Sequence, residues 1–168
     1  AEDWKITLVD TGDYTSTGGR LKRVGKYLNN EKNFCFTYGD GLSDINIRES
    51  IKFHINQKKL VTLSGVQAPG RYGSLDCDGI QVKSFVEKPK GENSYINGGF
   101  FVISKKALKY IKGDDTSWEI DTLKIIAKKK ELIAYKHKGF WHAMDTLRDK
   151  NYLENLWSQK KAPWKLWD

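Results

Sequence analysis

A chain of 168 residues that is 39% apolar and 30% charged is long enough for one domain with a real core, and too apolar for a disordered segment. No apolar run approaches the roughly 20 residues a membrane-spanning helix needs, and the opening AEDWKITLVD lacks the basic and apolar blocks of a secretory signal. The formal net charge of +8 suits nucleic acid or phosphorylated small molecules, but apart from Lys128–Lys130 the basic residues are scattered and no nucleic-acid motif accompanies them.

In chain order, WKITLV (4–9) has the composition of a strand, and DTGDYTSTGG (10–19) is a loop rich in glycine and threonine. Leu21, Val24 and Leu28 stand at helical spacing over 20–28. NFCFTY (33–38) reads as a buried strand. Asp44 is the expected N-cap of a helix whose Ile47, Ile51 and Ile55 recur on one face. LVTLSGVQ (60–67) is the next strand. Residues 74–88 alternate apolar and polar around Asp78-Gly79, the strongest hairpin signal in the chain. YINGGFFVIS (95–104) is a further strand, followed by a helix at KKALKYI. Thr116 or Ser117 would cap WEIDTLKIIAKKK, with Glu119 at the capping-box distance from Thr116. ELIAYKHK (131–138) and GFWHAMD (139–145) are short strands, 146–157 is a last helix, and the tail APWKLWD is expected to pack. This alternation of strands and helices predicts an α/β mixed sheet with an inserted antiparallel hairpin, all in one domain over 1–168. Cys35 and Cys77, without C-x-x-C spacing, read as reduced thiols of a cytoplasmic protein.

Several stretches hold polar groups where strands end, and each has two readings. In FCFTYGDG (34–41), Asp40 lies between two glycines at the carboxyl end of a strand, either in a turn or in a site that a phosphate-bearing ligand and a metal approach. TSTGGRLKR (15–23) leads a glycine pair into a helix beginning at Arg20, which suits a phosphate or base edge, or is a plain loop. PGRYGSLD (69–76), with Gly73, allows backbone approach to a ligand or makes a tight turn. In FVEKPKGENSYINGGF (85–100), Glu87, Lys88, Asn97 and Gly98 could frame a polyol and its phosphate, or belong to a charged surface loop. Asp145 in GFWHAMDTLRD is a metal-binding carboxylate or an N-cap. His54, on a helix face, and His137, on a strand, read as structural.

The order of these stretches, from LVDTGD (8–13) through TGGRLKRV, FTYGDG, PGRYGSLD, EKPKG (87–91), INGGFFV (96–102) and FWHAMDTLRDK to APWKLW (162–167), resembles the sugar-phosphate nucleotidyltransferases, and among them the cytidylyl branch. The resemblance runs from Trp4 to Asp168. It implies a Rossmann-like nucleotidyltransferase sheet and a Mg²⁺-dependent reaction of CTP with α-D-glucose 1-phosphate to CDP-glucose and pyrophosphate. It further implies nucleotide-sugar biosynthesis for lipopolysaccharide O-antigen. By the same resemblance Asp40 and Asp145 hold the metal, Lys88 contacts the sugar phosphate, and Glu87, Asn97 and Gly98 face the sugar; because a polyol needs close backbone approach, Gly73 is expected to floor the same pocket with Gly98. Arg20 lies near the nucleotide, and a homo-oligomer is the expected assembly, with no nucleic-acid or membrane partner. The family's glycine-rich loop of the type G-G-x-G-T-R-L does not occur between Ala1 and Asp168. The chain therefore reads as the C-terminal part of such a catalytic domain, expected to bind CTP weakly and to turn over no CDP-glucose alone. A non-catalytic sugar-nucleotide-binding module, or a related transferase with another nucleotide or sugar, is the alternative.

Overall fold

The computed structural model describes residues 3–28, 31–67, 74–78, 81–86 and 95–167, with 74–78 and 81–86 described by their backbone. Its centre is a four-stranded mixed sheet in the order β1 (Asn33–Thr37), β6 (Ile96–Ser104), β3 (Val61–Val66), β7 (Leu132–His137). β6 runs antiparallel to both β1 and β3, and β3 runs parallel to β7. The carboxyl ends of β1, β3 and β7 and the amino end of β6 therefore share one edge of the sheet, and the residues of interest gather there.

Side chains alternate across these strands as the period of two demands. Val61, Phe101 and Ile103 face a core completed by Leu21, Ala107, Ile111, Trp118, Leu123 and Ile126, with Phe34, Phe36, Tyr38 and Leu63 packed at its margin. Trp118 is fully buried and stands edge-on to Phe36 and Phe101 at ring separations of 6.2 and 6.0 Å. Burial of each such large apolar side chain is worth about 1.5–3 kcal/mol. β1 is half-buried rather than buried as its composition suggested, because Cys35 and Thr37 point away from this core and are exposed.

The opposite face of the sheet is covered by α2 (Ile47–Gln57). Here Ser50 and His54 are the buried helix residues, and Ile47 and Ile55 are exposed, contrary to the expected isoleucine stripe. The reason is the polar inner face of β3: His54 Nδ1 lies 2.9 Å from Thr62 Oγ1 and its Nε2 3.3 Å from Asn33 Oδ1, so the helix turns its histidine inward. Burial pushes the pKa of His54 below its ordinary value. Asn46, not Asp44, caps α2, its Oδ1 accepting from Glu49 N at 3.1 Å.

The first helix, α1 (Thr17–Val24), begins earlier than its apolar spacing indicated. It lies close on the 114–118 segment because Gly18 and Gly19 carry no side chains; a Cβ on Gly18 would sit 2.6 Å from Thr116 O. Arg23 grips Asp114 with two bonds of 3.0 and 2.6 Å. KKALKY forms a 3₁₀ helix. WEIDTL forms a wider π-type helix that runs into α3 (Lys124–Lys128) and is capped by Ser117, whose Oγ accepts from Ile120 N. The expected hairpin forms: β4 (Ser74–Asp78) pairs antiparallel with β5 (Gln81–Val86), with a register break at Asp76/Cys77. The chain ends in β8 (Trp141–Ala143), which pairs with β2 (Gly41–Ser43), then α4 (Leu147–Ser158) and the tail, whose Trp164 packs on Phe140 at 5.4 Å. Residues 4–9 form no strand, and Trp4, Ile6 and Leu8 are exposed. Alternation supplies the faces of a strand but not the neighbouring backbone that completes one.

Candidate active site

The short ribbon β2–β8 organises the functional edge of the sheet. Its antiparallel register sets Gly41 against Ala143 and Leu42 against His142, and beyond it Met144 N donates to Asp40 O at 2.8 Å. Asp40 and Asp145, far apart in sequence, therefore leave the same end of one ribbon, and both are exposed. The ribbon is tied to the sheet by Trp141, whose Nε1 donates to Gly98 O at 2.8 Å.

Of the two bland readings of these motifs, the geometry overturns one and bears out the other. Thr146, not Asp145, caps α4: its Oγ1 accepts from Asp149 N at 3.2 Å, and Asp149 Oδ2 in turn accepts from Thr146 N at 2.9 Å. Gly39 and Asp40 do form a turn, but the glycines flanking Asp40 are not required by it. Neither adopts positive φ, a Cβ on Gly39 would meet nothing within 4 Å, and one on Gly41 would make only ordinary contacts, the nearest at 3.7 Å. The lack of a side chain at Gly39 leaves open space beside Asp40.

Next to this ribbon, Tyr38, Asn97 and Glu119 form a hydrogen-bonded chain. Tyr38 OH donates to Glu119 Oε1 at 2.6 Å, and Asn97 Nδ2 reaches the Tyr38 oxygen at 3.4 Å while Asn97 Oδ1 accepts from Gly99 N at 2.9 Å. Glu119 Oε2 also accepts from Thr17 Oγ1 at 2.8 Å and Ser117 Oγ at 3.1 Å. Partial burial opposes the charge of Glu119, but the bonds from Tyr38, Thr17 and Ser117, with its own backbone, outweigh it and leave the carboxyl below its ordinary pKa. Burial, helped by the Glu119 bond and the nearby charges of Glu119 and Asp40, pushes the Tyr38 hydroxyl well up. Gly98 is buried, and a Cβ there would lie 2.7 Å from Val66 Cγ1, so its bareness serves packing on β3. Arg20, one turn into α1, is exposed and donates to Thr11 Oγ1 at 2.7 Å and Asp13 O at 3.1 Å, holding the N-terminal loop.

Beyond the ends of β3 and β7 lies a cavity of about 590 Å³ lined among others by Gln67, His137, His142, Arg148 and Tyr152. His137 Nε2 pairs with Asp44 Oδ1 at 2.8 Å, which occupies the residue the sequence assigned as a cap. His142 Nε2 pairs with Asp149 Oδ1 at 3.0 Å. The Thr146 hydroxyl, against the contrary effect of burial and with help from His142 and the Thr146 backbone, holds the Asp149 carboxyl down to about 2.

Of the residues singled out by sequence, Asp40, Asp145, Asn97 and Gly98 meet at this edge, and Arg20 stands on the helix whose Thr17 bonds Glu119. Lys88, Glu87 and Gly73 lie outside the described residues. Among the described residues no three His, Cys, Asp or Glu side chains group as a metal cage. Two exposed carboxylates leaving one end of the ribbon, Asp40 and Asp145, are the residue types with which a hard cation that keeps waters is held alongside substrate oxygens. Sequence reasoning missed Glu119, which it spent on a capping box, and Tyr38, although Tyr38 heads the YGDG motif.

A model of the family described as nucleotidyl transferase matches residues 12–154. The chain is 52% identical to glucose-1-phosphate cytidylyltransferase of Salmonella typhi, over 99% of this chain and 65% of that protein. It is 38% identical to a probable glucose-1-phosphate cytidylyltransferase of Bacillus subtilis, again over 99% and 65%. The solved structure of HddC from Yersinia pseudotuberculosis superposes with a TM-score of 0.60 at 27% identity, covering 83% of this chain and 61% of that one. The chain thus spans about 65% of the length of the curated relatives it matches, and the mixed sheet is the Rossmann-like nucleotidyltransferase sheet expected from sequence.

Proposed function

This chain belongs to the nucleotidyl transferase family, and we propose that it carries part of the site at which cytidylyl is transferred from CTP to α-D-glucose 1-phosphate, giving CDP-glucose and pyrophosphate. The observation that carries the proposal is the pairing of β2 with β8, which seats Asp40 beside the Met144-Asp145 segment at the end of the sheet. The 52% identity to the Salmonella typhi protein supports the choice of nucleotide and sugar.

In this reaction a phosphate oxygen of the sugar attacks the α-phosphorus of CTP. The new P–O bond forms as the bond to the bridging oxygen breaks, and pyrophosphate leaves. Two polyanions must be held together, so the acceleration comes from positioning and electrostatics rather than from a covalent intermediate. Asp40 and Asp145 are the residues that would hold Mg²⁺. When bound, the ion neutralises phosphate charge and orients phosphate oxygens. Asn97 orients sugar hydroxyls through its amide, in company with Glu87, Gly73 and Gly98. Lys88 neutralises the incoming phosphate as a point charge, and Arg20 serves the nucleotide side. Open space at Gly39 lets the phosphates reach Asp40. A homo-oligomeric assembly completes the proposal.

The test is formation of CDP-glucose and pyrophosphate by the complete gene product given CTP, α-D-glucose 1-phosphate and Mg²⁺, with ATP, GTP, UTP and dTTP as competing donors. Preference for CTP is the expected result. Equal use of another nucleotide, or no product with any, would overturn the reading.

A further inference from the structure

We infer that Glu119 is a positioning residue for the sugar side of the site: through the Tyr38 hydroxyl it dictates which edge of the Asn97 amide faces a bound sugar. The inference rests on the reading of Asn97 as a sugar-facing residue given above.

An ionised carboxylate only accepts hydrogen bonds. Glu119 takes the hydroxyl protons of Tyr38, Thr17 and Ser117 at 2.6, 2.8 and 3.1 Å. Tyr38 has a single proton to donate, and Glu119 claims it. The tyrosine oxygen then faces Asn97 as an acceptor alone, so the amide must turn its N–H towards it, as the 3.4 Å contact from Nδ2 records. The second contact agrees, since Gly99 N donates to Asn97 Oδ1 at 2.9 Å. Both neighbours thus select one of the two amide orientations. The remaining N–H and lone pair of this exposed side chain present a fixed donor–acceptor pattern to a polyol.

Without the charge on Glu119, Tyr38 is released to donate towards Asn97 Oδ1, and the amide loses one of the two constraints on its orientation. A hydroxyl-bearing ligand would then meet a mixture of orientations. The bond from Thr17 serves a different end: it holds α1 to the segment at 117–119, and Thr17 Oγ1 also accepts from Trp118 N at 2.9 Å. Removing Thr17 therefore perturbs Glu119 without releasing the Tyr38 proton, which separates positioning from plain structural support.

The experiment compares Glu119→Gln, Tyr38→Phe, their double variant and Thr17→Ala in the complete gene product. Binding of α-D-glucose 1-phosphate and of CTP is measured by calorimetry, and the Asn97 side-chain amide is followed by NMR. Glu119→Gln and Tyr38→Phe are each expected to weaken the sugar phosphate about tenfold while changing CTP less than about twofold, as loss of one directed hydrogen bond implies. The double variant is expected to match the worse single variant, because both act along one path. Thr17→Ala is expected to lower stability and leave sugar-phosphate affinity unchanged. In both hydroxyl-path variants the Asn97 NH₂ signals should move towards an averaged position. Should Glu119→Gln fail to fold, Tyr38→Phe, which leaves the Thr17 and Ser117 bonds intact, decides the matter alone. Tight sugar-phosphate binding by the unsubstituted protein with no change in Tyr38→Phe or Glu119→Gln overturns this inference and leaves the proposed function standing. No sugar-phosphate binding by the unsubstituted protein overturns both.

Discussion

Replacing Gly99 by alanine should disturb stability and site together, and its size follows from the geometry. Gly99 has φ +77°, and an added Cβ would lie 2.8 Å from Tyr38 Cδ2. The Tyr38 ring has little room to yield, since it stands edge-on to Phe36 and Phe101, each at 5.7 Å, and its hydroxyl is held by Glu119 at 2.6 Å. Left-handed backbone costs a non-glycine residue about 1–2 kcal/mol, and forcing a methyl into a packed region costs about 1–3 more. Gly99→Ala should therefore lose about 2–5 kcal/mol in urea unfolding at neutral pH with an unchanged denaturant slope. Gly39→Ala provides the contrast. Its methyl meets nothing within 4 Å, so stability should stay within about 0.5 kcal/mol, while turnover by the complete gene product falls because the methyl enters the space beside Asp40. A Gly99→Ala loss under about 1 kcal/mol would refute the claim that this glycine is a packing requirement.

Two other expectations concern pH and capping. Burial lowers the pKa of His54 in the folded state, so the unfolded chain takes up the proton first. Stability contributed by neutral His54 is complete above about pH 6.5 and declines as pH falls towards the lower folded value; urea midpoints between pH 7.5 and 5 should show a smaller decline in His54→Gln. Thr146→Ala removes the capping box of α4 and should destabilise the protein by about 1 kcal/mol. Because Thr146 holds Asp149 down to about 2, the stability tied to that carboxylate is present above its ordinary pKa and is lost as pH falls towards 2. The acid limb of the pH–stability curve should shrink in the variant, and chemical-shift titration of Asp149 should move up.

Much of this was legible because it rests on local chemistry. Asp78-Gly79 marked the hairpin, and a strand end with flanking glycines marked the turn at Asp40. What escaped the sequence depends on partners brought from elsewhere in the chain. Glu119 stood at the capping-box distance from Thr116, yet Ser117 took the cap, and Tyr38 and Thr17 took the carboxylate. The isoleucines at 47, 51 and 55 outlined a plausible buried stripe, but a polar face on β3 drew in Ser50 and His54 instead. Asp44 and Asn46 are equally good caps by type, and only the approach of His137 assigns Asp44 elsewhere. Residues 4–9 carried the pattern of a strand without revealing what would pair with it.

The central claim is that Asp40 and Asp145 act as one unit in nucleotidyl transfer, and a double-mutant cycle on kcat tests it most directly. In the complete gene product, with CTP, α-D-glucose 1-phosphate and saturating Mg²⁺, Asp40→Asn and Asp145→Asn should each lower kcat by about a hundredfold or more. The double variant should fall no further than the worse single variant, as expected for residues that share one task. Losses that multiply in the double variant, or a single variant that keeps a rate near that of the unsubstituted protein, would contradict the account.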